Sequence, residues 1–134
     1  MRSAFQELPG DVGPPRPLVD VTLLDLPMAA QTCLIDTGAT DIRMGIEIAQ
    51  AAGLELTDEL LTTILVAGHR LTGRGETVEL QVETDDGFHR WAPTVYFCDP
   101  WPFGFGLLGL GGMQPFRITV CPYEEWSELA LLDA

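Results

Sequence analysis

Apolar positions along this 134-residue chain alternate with polar ones more often than they recur at helical spacing. Leu18 to Leu26 alternates imperfectly and is followed by Pro27-Met28-Ala29-Ala30 and then Gln31 to Asp36. That order predicts two strands joined by a tight connection, the second ending on an acid. Ile46 to Ala52 fits two helical turns, with Gly53 where a left-handed C-terminal cap belongs. Leu60 to Val66 and Leu71 to Val82 are rich in Leu, Val, Thr and Ile and flank Ala67-Gly68-His69-Arg70, which predicts a long hairpin with a mobile tip. Asp85-Asp86-Gly87 marks a further turn, followed by a strand from about Phe88 to Phe97. Asp99 to Gly106 holds too much Pro and Gly for regular structure. After Leu107-Leu108-Gly109 a short turn leads into the alternating segment Phe116 to Val120. The expected class is all-β with one or two short helices, and no repeat of fixed period points to a solenoid or propeller.

The two ends read differently from the middle. Residues 1–16 contain Pro9-Gly10 and Gly13-Pro14-Pro15 and show no periodicity, so a flexible arm is expected there, with the folded domain spanning 17–122. Residues 123–134 read as an acidic tail in which Glu124 to Glu128 forms a solvated last turn, with Trp126 able to anchor it.

Composition narrows the function classes. An apolar fraction of 46% suits one globular core, and no run approaches the ~18 apolar residues of a membrane helix. A formal charge of -13 sets nucleic-acid backbones and anionic membranes aside as partners, because both would be repelled before specific contacts formed. The start of the chain lacks the basic, apolar, small-residue succession of a signal peptide, so the expected compartment is the cytoplasm. All seven basic residues are Arg, which removes Schiff-base lysine chemistry and the lysine of a phosphate-binding loop. Cys33, Cys98 and Cys121 form no CxxC pair and are expected as free thiols. His69, His89 and Cys98 match no compact ligand spacing, so no metal and no cofactor is expected. Gly104-Phe105-Gly106-Leu107-Leu108-Gly109 spells a dinucleotide fingerprint, but nearby Pro100, Pro102 and Pro115 preclude the parallel strand and long helix it needs.

One motif carries chemistry. Asp36-Thr37-Gly38-Ala39-Thr40 follows the apolar triplet Cys33-Leu34-Ile35, which places a carboxylate at the end of a firmly held strand. Gly38 permits a sharp turn and close approach of another chain, and Thr37 offers a hydroxyl that can tie two such loops together. Taken alone, these letters equally suit a solvated turn.

Asp36-Thr37-Gly38-Ala39, the Gly-containing tip Ala67-Gly68-His69, and Leu107-Leu108-Gly109 stand in the order and approximate spacing of retropepsin-like aspartic proteases. From about Leu18 to Val120 the chain resembles the single-domain bacterial members of that family. The resemblance implies a retropepsin-like acid protease barrel with one lobe per chain, active as a homodimer on peptide or protein substrates. Asp36 would be the catalytic carboxylate and Thr37, Gly38, Ala39 and Thr40 the active-site loop. Ala67, Gly68 and His69 would form a flap, while Ile42, Arg43, Leu107, Leu108 and Gly109 would belong to the substrate pocket. Three departures stand out: Leu110 occupies a position where many members carry Arg, Arg43 interrupts an apolar stretch, and Gly111-Gly112 is looser than the usual start of a C-terminal helix. They keep open a second reading, a catalytically inactive retropepsin-like domain used for dimerisation or peptide binding.

Overall fold

The computed structural model describes residues 2–9, 13–84 and 87–132. Asp85 and Asp86 of the expected turn, and Gly10, Asp11 and Val12 of the expected arm, lie outside the described residues. Strands dominate. They run β1 (Arg2–Ala4), β2 (Leu18–Leu23), β3 (Ala30–Asp36), β4 (Ile42–Gly45), β5 (Leu61–Val66), β6 (His69–Thr77), β7 (Leu80–Thr84), β8 (Gly87–Trp91), β9 (Thr94–Asp99), β10 (Gly106–Gly109), β11 (Phe116–Cys121) and β12 (Trp126–Leu131). The helix α1 (Ile46–Ala51) follows β4 directly and ends at Gly53, whose φ of 71° supplies the left-handed cap.

Nine strands form one sheet in the order β5-β6-β9-β4-β10-β3-β2-β7-β8. β2 and β3 pair antiparallel across the Pro27–Ala29 turn, as the alternation predicts. The expected strand from Leu71 to Val82 is instead split: β6 pairs with β9, and after Val78 and Glu79 the chain shifts to pair β7 with β2. The expected strand from Phe88 to Phe97 also divides, because Pro93 has no N–H for a ladder. β8 therefore closes the hairpin with β7, and β9 restarts parallel to β4.

Alternation along the central strands sends one set of side chains inward. Val21, Leu23, Cys33, Ile35, Ile42, Met44, Val95, Phe97 and Leu108 form a single buried cluster. A smaller cluster of Ile64, Leu71 and Cys98 lies at the β5–β6 hairpin, with Tyr96 and Trp101 packed against it.

Both termini depart from expectation. The segment read as an acidic tail is β12, paired with β11 along its whole length and with β1 on its other side. Its alternation explains this: Ser127 and Leu129 are only 3% exposed, and Leu129 joins the main core, while Glu128 between them is half-exposed on the opposite side of the ladder. The region read as an arm is tied down by the β1–β12 ladder, by reciprocal Gln6–Arg16 backbone hydrogen bonds of 2.9 and 2.7 Å, and by the Arg2 guanidinium 3.6 Å above the Trp126 ring. Residues on both sides of the expected 17–122 boundaries thus share one three-stranded sheet, β1-β12-β11.

A core role for β12 is checked with Leu129→Ala, which should lower unfolding free energy by about 2–5 kcal/mol in urea titrations. A change below about 0.5 kcal/mol would mean that the C-terminal strand is peripheral.

Candidate active site

Asp36 is placed by the period of β3. Cys33 and Ile35 point into the core, so Leu34 and Asp36 project from the opposite face. The strand before the acid and the strand after it are not neighbours. β10 lies between them, parallel to β3 with Gly109 opposite Asp36, and antiparallel to β4 with Leu107 opposite Arg43. The loop from Thr37 to Asp41 must therefore step across the end of β10, and backbone bonds fasten it there. Ala39 N–H donates to Asp36 O (3.1 Å), Gly109 N–H to Asp41 O (3.1 Å), Leu110 N–H to Ala39 O (3.1 Å) and Gly111 N–H to Thr40 O (2.8 Å). Gly109 is needed for this closeness, since a Cβ there would lie 2.6 Å from the Asp41 nitrogen and 2.8 Å from its carbonyl carbon.

The carboxylate of Asp36 is half-buried and accepts one hydrogen bond, from the Gly38 N–H at 3.0 Å. Among the described residues it has no ion-pair partner. Thr37 and Gly38 are exposed, and the Thr37 hydroxyl makes no hydrogen bond among the described residues. Ala39 is half-buried; the exposed Thr40 donates to Asp41 Oδ2 at 3.2 Å, and Asp41 lies 3.7 Å from Arg43.

The residues expected to line a substrate pocket separate by face. Arg43 and Leu107 share the face of Asp36, although Leu107 is itself buried at 5% exposure, whereas Ile42 and Leu108 are 0% exposed members of the core on the opposite face and offer no surface to a peptide. Gly109 is buried where it packs on the loop. Strand alternation places Leu34, two residues before Asp36 and half-buried, on the face of Asp36 as well. The same period-2 reading that puts Asp36 at a strand end is enough to find it.

At the other end of the sheet, β5 and β6 form the predicted hairpin with Val66 opposite His69. Ala67 (φ 49°) and Gly68 (φ 82°) make the two-residue turn with positive φ at both positions that such hairpins favour. Ala67, Gly68 and His69 are exposed. The His69 ring meets Phe103 edge-on at 6.0 Å, and Phe103 in turn packs on Trp101 and Phe105, with Trp101 Nε1 donating to the Phe105 carbonyl at 2.9 Å. The irregular segment before β10 is thereby connected to the hairpin tip through edge-on and tilted aromatic contacts, a link no spacing in the sequence reveals.

Thiol and metal chemistry lose ground here. Burial pushes the Cys33 thiol far above its ordinary range, helped by the nearby Asp20 charge. Burial raises Cys98 to about 11, with the Arg43 charge opposing. Both stay protonated at neutral pH and are poor nucleophiles or ligands. Among the described residues no group of three His, Cys, Asp or Glu side chains could hold a metal ion. A cleft of about 540 Å³ is lined by Asp41 of the loop, with Trp91, Tyr96 and Gly112 among others; Asp36 does not line it. The acid stands instead on the open face of a single lobe.

Neither a family model nor a curated protein matches this sequence. A solved structure of a retropepsin-like aspartic protease from Rickettsia conorii is similar in fold, with a TM-score of 0.56 at 20% identity, covering 82% of this chain and 86% of that one. A Legionella pneumophila protein of unknown function matches at TM-score 0.34 and 14% identity over 74% of this chain and 84% of its own, too loosely to carry any inference. The fold is mostly β with one short helix among the described residues, consistent with a retropepsin-like single lobe. No helix among the described residues is long and apolar enough to cross a membrane.

Gly109→Ala should separate β10 from the active-site loop and destabilise the chain by roughly 1–3 kcal/mol, the usual cost of overpacking, as measured by thermal or urea unfolding; an unchanged midpoint would contradict the close packing. For the thiols, iodoacetamide at pH 8 should leave Cys33 and Cys98 unlabelled in the native state and reach them only in denaturant. Rapid native labelling of either, read by mass spectrometry, would contradict the raised values.

Proposed function

We propose that this chain is one half of a homodimeric aspartic endopeptidase, with Asp36 as its single contribution to a catalytic pair. The observation that carries this reading is the loop from Asp36 to Asp41, fastened over β10 with the carboxylate projecting from the outer face of the sheet. The fold likeness to a retropepsin-like aspartic protease supports it.

One carboxylate cannot serve as base and acid in the same step. A second copy related by a two-fold axis supplies the other, and the exposed, unpartnered Thr37 hydroxyl and Gly38 backbone suit close apposition of two loops. Two carboxylates about 3 Å apart share one proton, because like charges that close do not both ionise, the general behaviour of aspartic-protease pairs. The ionised member removes a proton from a water held between them. The resulting hydroxide oxygen bonds to the scissile carbonyl carbon while the protonated member donates to the carbonyl oxygen, giving a tetrahedral diol. Its collapse breaks the C–N bond as the amine leaves with a proton, and the pair returns to its starting state. No cofactor and no covalent intermediate enter. Ala67, Gly68 and His69 act as a flap that closes over bound peptide and excludes bulk water. Leu34, half-buried on the face of Asp36, provides an apolar wall for side chains flanking the scissile bond, backed by the buried Leu107.

A specific feature favours the inactive alternative, a dimerisation or peptide-binding domain. Leu110 is 49% exposed and reaches the loop only through its backbone N–H, so the chain lacks a side-chain brace from this position.

Incubation with a proteome-derived peptide library, followed by mass spectrometry, distinguishes the two. The wild-type protein should cut peptides, and Asp36→Asn should reduce turnover by at least roughly 10²–10⁴-fold, the scale of general acid–base catalysis, while retaining the dimer in sedimentation at micromolar concentration. Undiminished cleavage by Asp36→Asn would refute the mechanism, and a strictly monomeric, cleaving wild type would refute the shared site. Gly68→Val places a β-branched residue at φ 82° and should lower kcat/KM; unaltered kinetics would remove the flap assignment.

A further inference from the structure

The reactive face carries one charged side chain with unmet bonding capacity. Arg43 projects from β4 beside Leu107 and opposite Tyr96 of β9. Its side chain is 16% exposed, yet its Nε–H is buried and has no hydrogen-bond partner. Among the described residues the one carboxylate within 4 Å of it is Asp41, 3.7 Å from one terminal nitrogen and too far for a good hydrogen bond. Asp41 is the more exposed partner at 42% and also accepts from Thr40. A guanidinium presents five donors in a planar fork suited to a carboxylate, so a mostly buried one left this poorly matched is a costly arrangement unless something else completes it.

Position indicates what completes it. Asp36 lies opposite Gly109 and Arg43 opposite Leu107, so the two are separated by two strand spacings across the sheet and two residues along it. With ~4.8 Å per strand and ~3.4 Å per residue, their Cα atoms stand on the order of 12 Å apart on one face. An extended peptide centred on Asp36 advances about 3.3 Å per residue, so side chains two or three positions from the scissile bond come within reach of Arg43.

We propose that Arg43 is a specificity-determining residue that receives a single Asp or Glu side chain of the substrate, close to the scissile bond. The assignment rests on the reading of this face as a peptide-binding site. The peptide carboxylate displaces the loose contact with Asp41 and engages the guanidinium fork, where charge-assisted, two-point bonding gives selectivity over the neutral amide. Selection is for one acid and not an acidic run: the chain's -13 charge opposes acidic peptides at long range, although salt screens that effect beyond about 8–10 Å.

The test uses the full chain and the same peptide library. Cut sites of the wild type should show Asp or Glu enriched roughly 10- to 100-fold over Gln and Asn at one position near the cleaved bond. Arg43→Gln should erase that enrichment, and Asp41→Asn, which frees the guanidinium from its competing carboxylate, should sharpen it. In a parallel arm, Asp36→Asn protein is incubated with the library and retained peptides are identified. Cleavage without acid enrichment overturns the inference and leaves the proteolytic reading standing. Retention of acid-bearing peptides without any cleavage by the wild type supports the inference and overturns proteolysis. Neither cleavage nor retention overturns both. Loss of the dimer in Arg43→Gln, with the fold intact by circular dichroism, would show that a second copy claims the guanidinium and would overturn the inference as well.

Discussion

The insertion of β10 between β3 and β4 is the constraint on which the rest of this molecule depends. With that strand in place, the segment joining Asp36 to Ile42 has no choice but to cross the end of β10, and the only way to cross closely is against backbone without side chains. Gly109 and Gly111 provide that backbone, and their N–H groups, with that of Leu110, satisfy the loop carbonyls of Asp41, Thr40 and Ala39. A loop whose carbonyls are internally paired in this way is held in shape by backbone hydrogen bonds. The Asp36 carboxylate inherits that fixity through the 3.0 Å bond from Gly38.

A second consequence is the separation of roles between the two faces. Cys33, Ile35, Ile42, Met44 and Leu108 fill the core, which anchors each of the three strands at two points or one, while Leu34, Asp36, Arg43 and the buried Leu107 project from the opposite face. Chemistry and stability therefore alternate residue by residue. This explains why a list of motif letters misleads when taken as a list of contacts: in Leu107-Leu108-Gly109 the first residue faces the reactive side, the second is core and the third is a packing gap.

Legibility in the sequence follows the same division. Asp36 at a strand end, the β2–β3 pair, the helix with its Gly53 cap, and the hairpin turning at Ala67-Gly68 are all readable, because each rests on a local signal of two to eight residues. The two termini are not. Trp126 to Leu131 forms a strand because Leu129 and Ser127 find the core and β11, contacts that lie outside any local window. Of the glutamates that suggest a solvated tail, Glu124 and Glu125 sit in the turn before this strand and Glu128 on the other side of its ladder. The division of residues 71–82 between two partners likewise depends on which strand lies alongside, β9 or β2, and not on the alternation itself. Leu34 is legible by period alone, yet hidden by its place within an apolar triplet in which only every second residue is core.

What the single chain leaves unmet is as informative as what it satisfies. The loop carbonyls of Asp36, Ala39, Thr40 and Asp41 are paired, yet among the described residues the Thr37 hydroxyl has no hydrogen-bond partner, Asp36 has no ion-pair partner, and Arg43 keeps a buried donor without an acceptor. Orphaned polar groups at a fully packed surface cost stability, and native chains keep few of them. Among the described residues Arg43 Nε is one of three such buried atoms, with His89 Nε2 and Trp126 Nε1, and it is the one beside the Asp36 loop. A loop hydroxyl and a carboxylate are groups that an identical loop can meet symmetrically, whereas a guanidinium two strands away from the acid is met by something of opposite charge lying along the sheet. On the proposed reading, Thr37 lies on the part of the face that a copy of the chain would meet and Arg43 on the part that a peptide would meet.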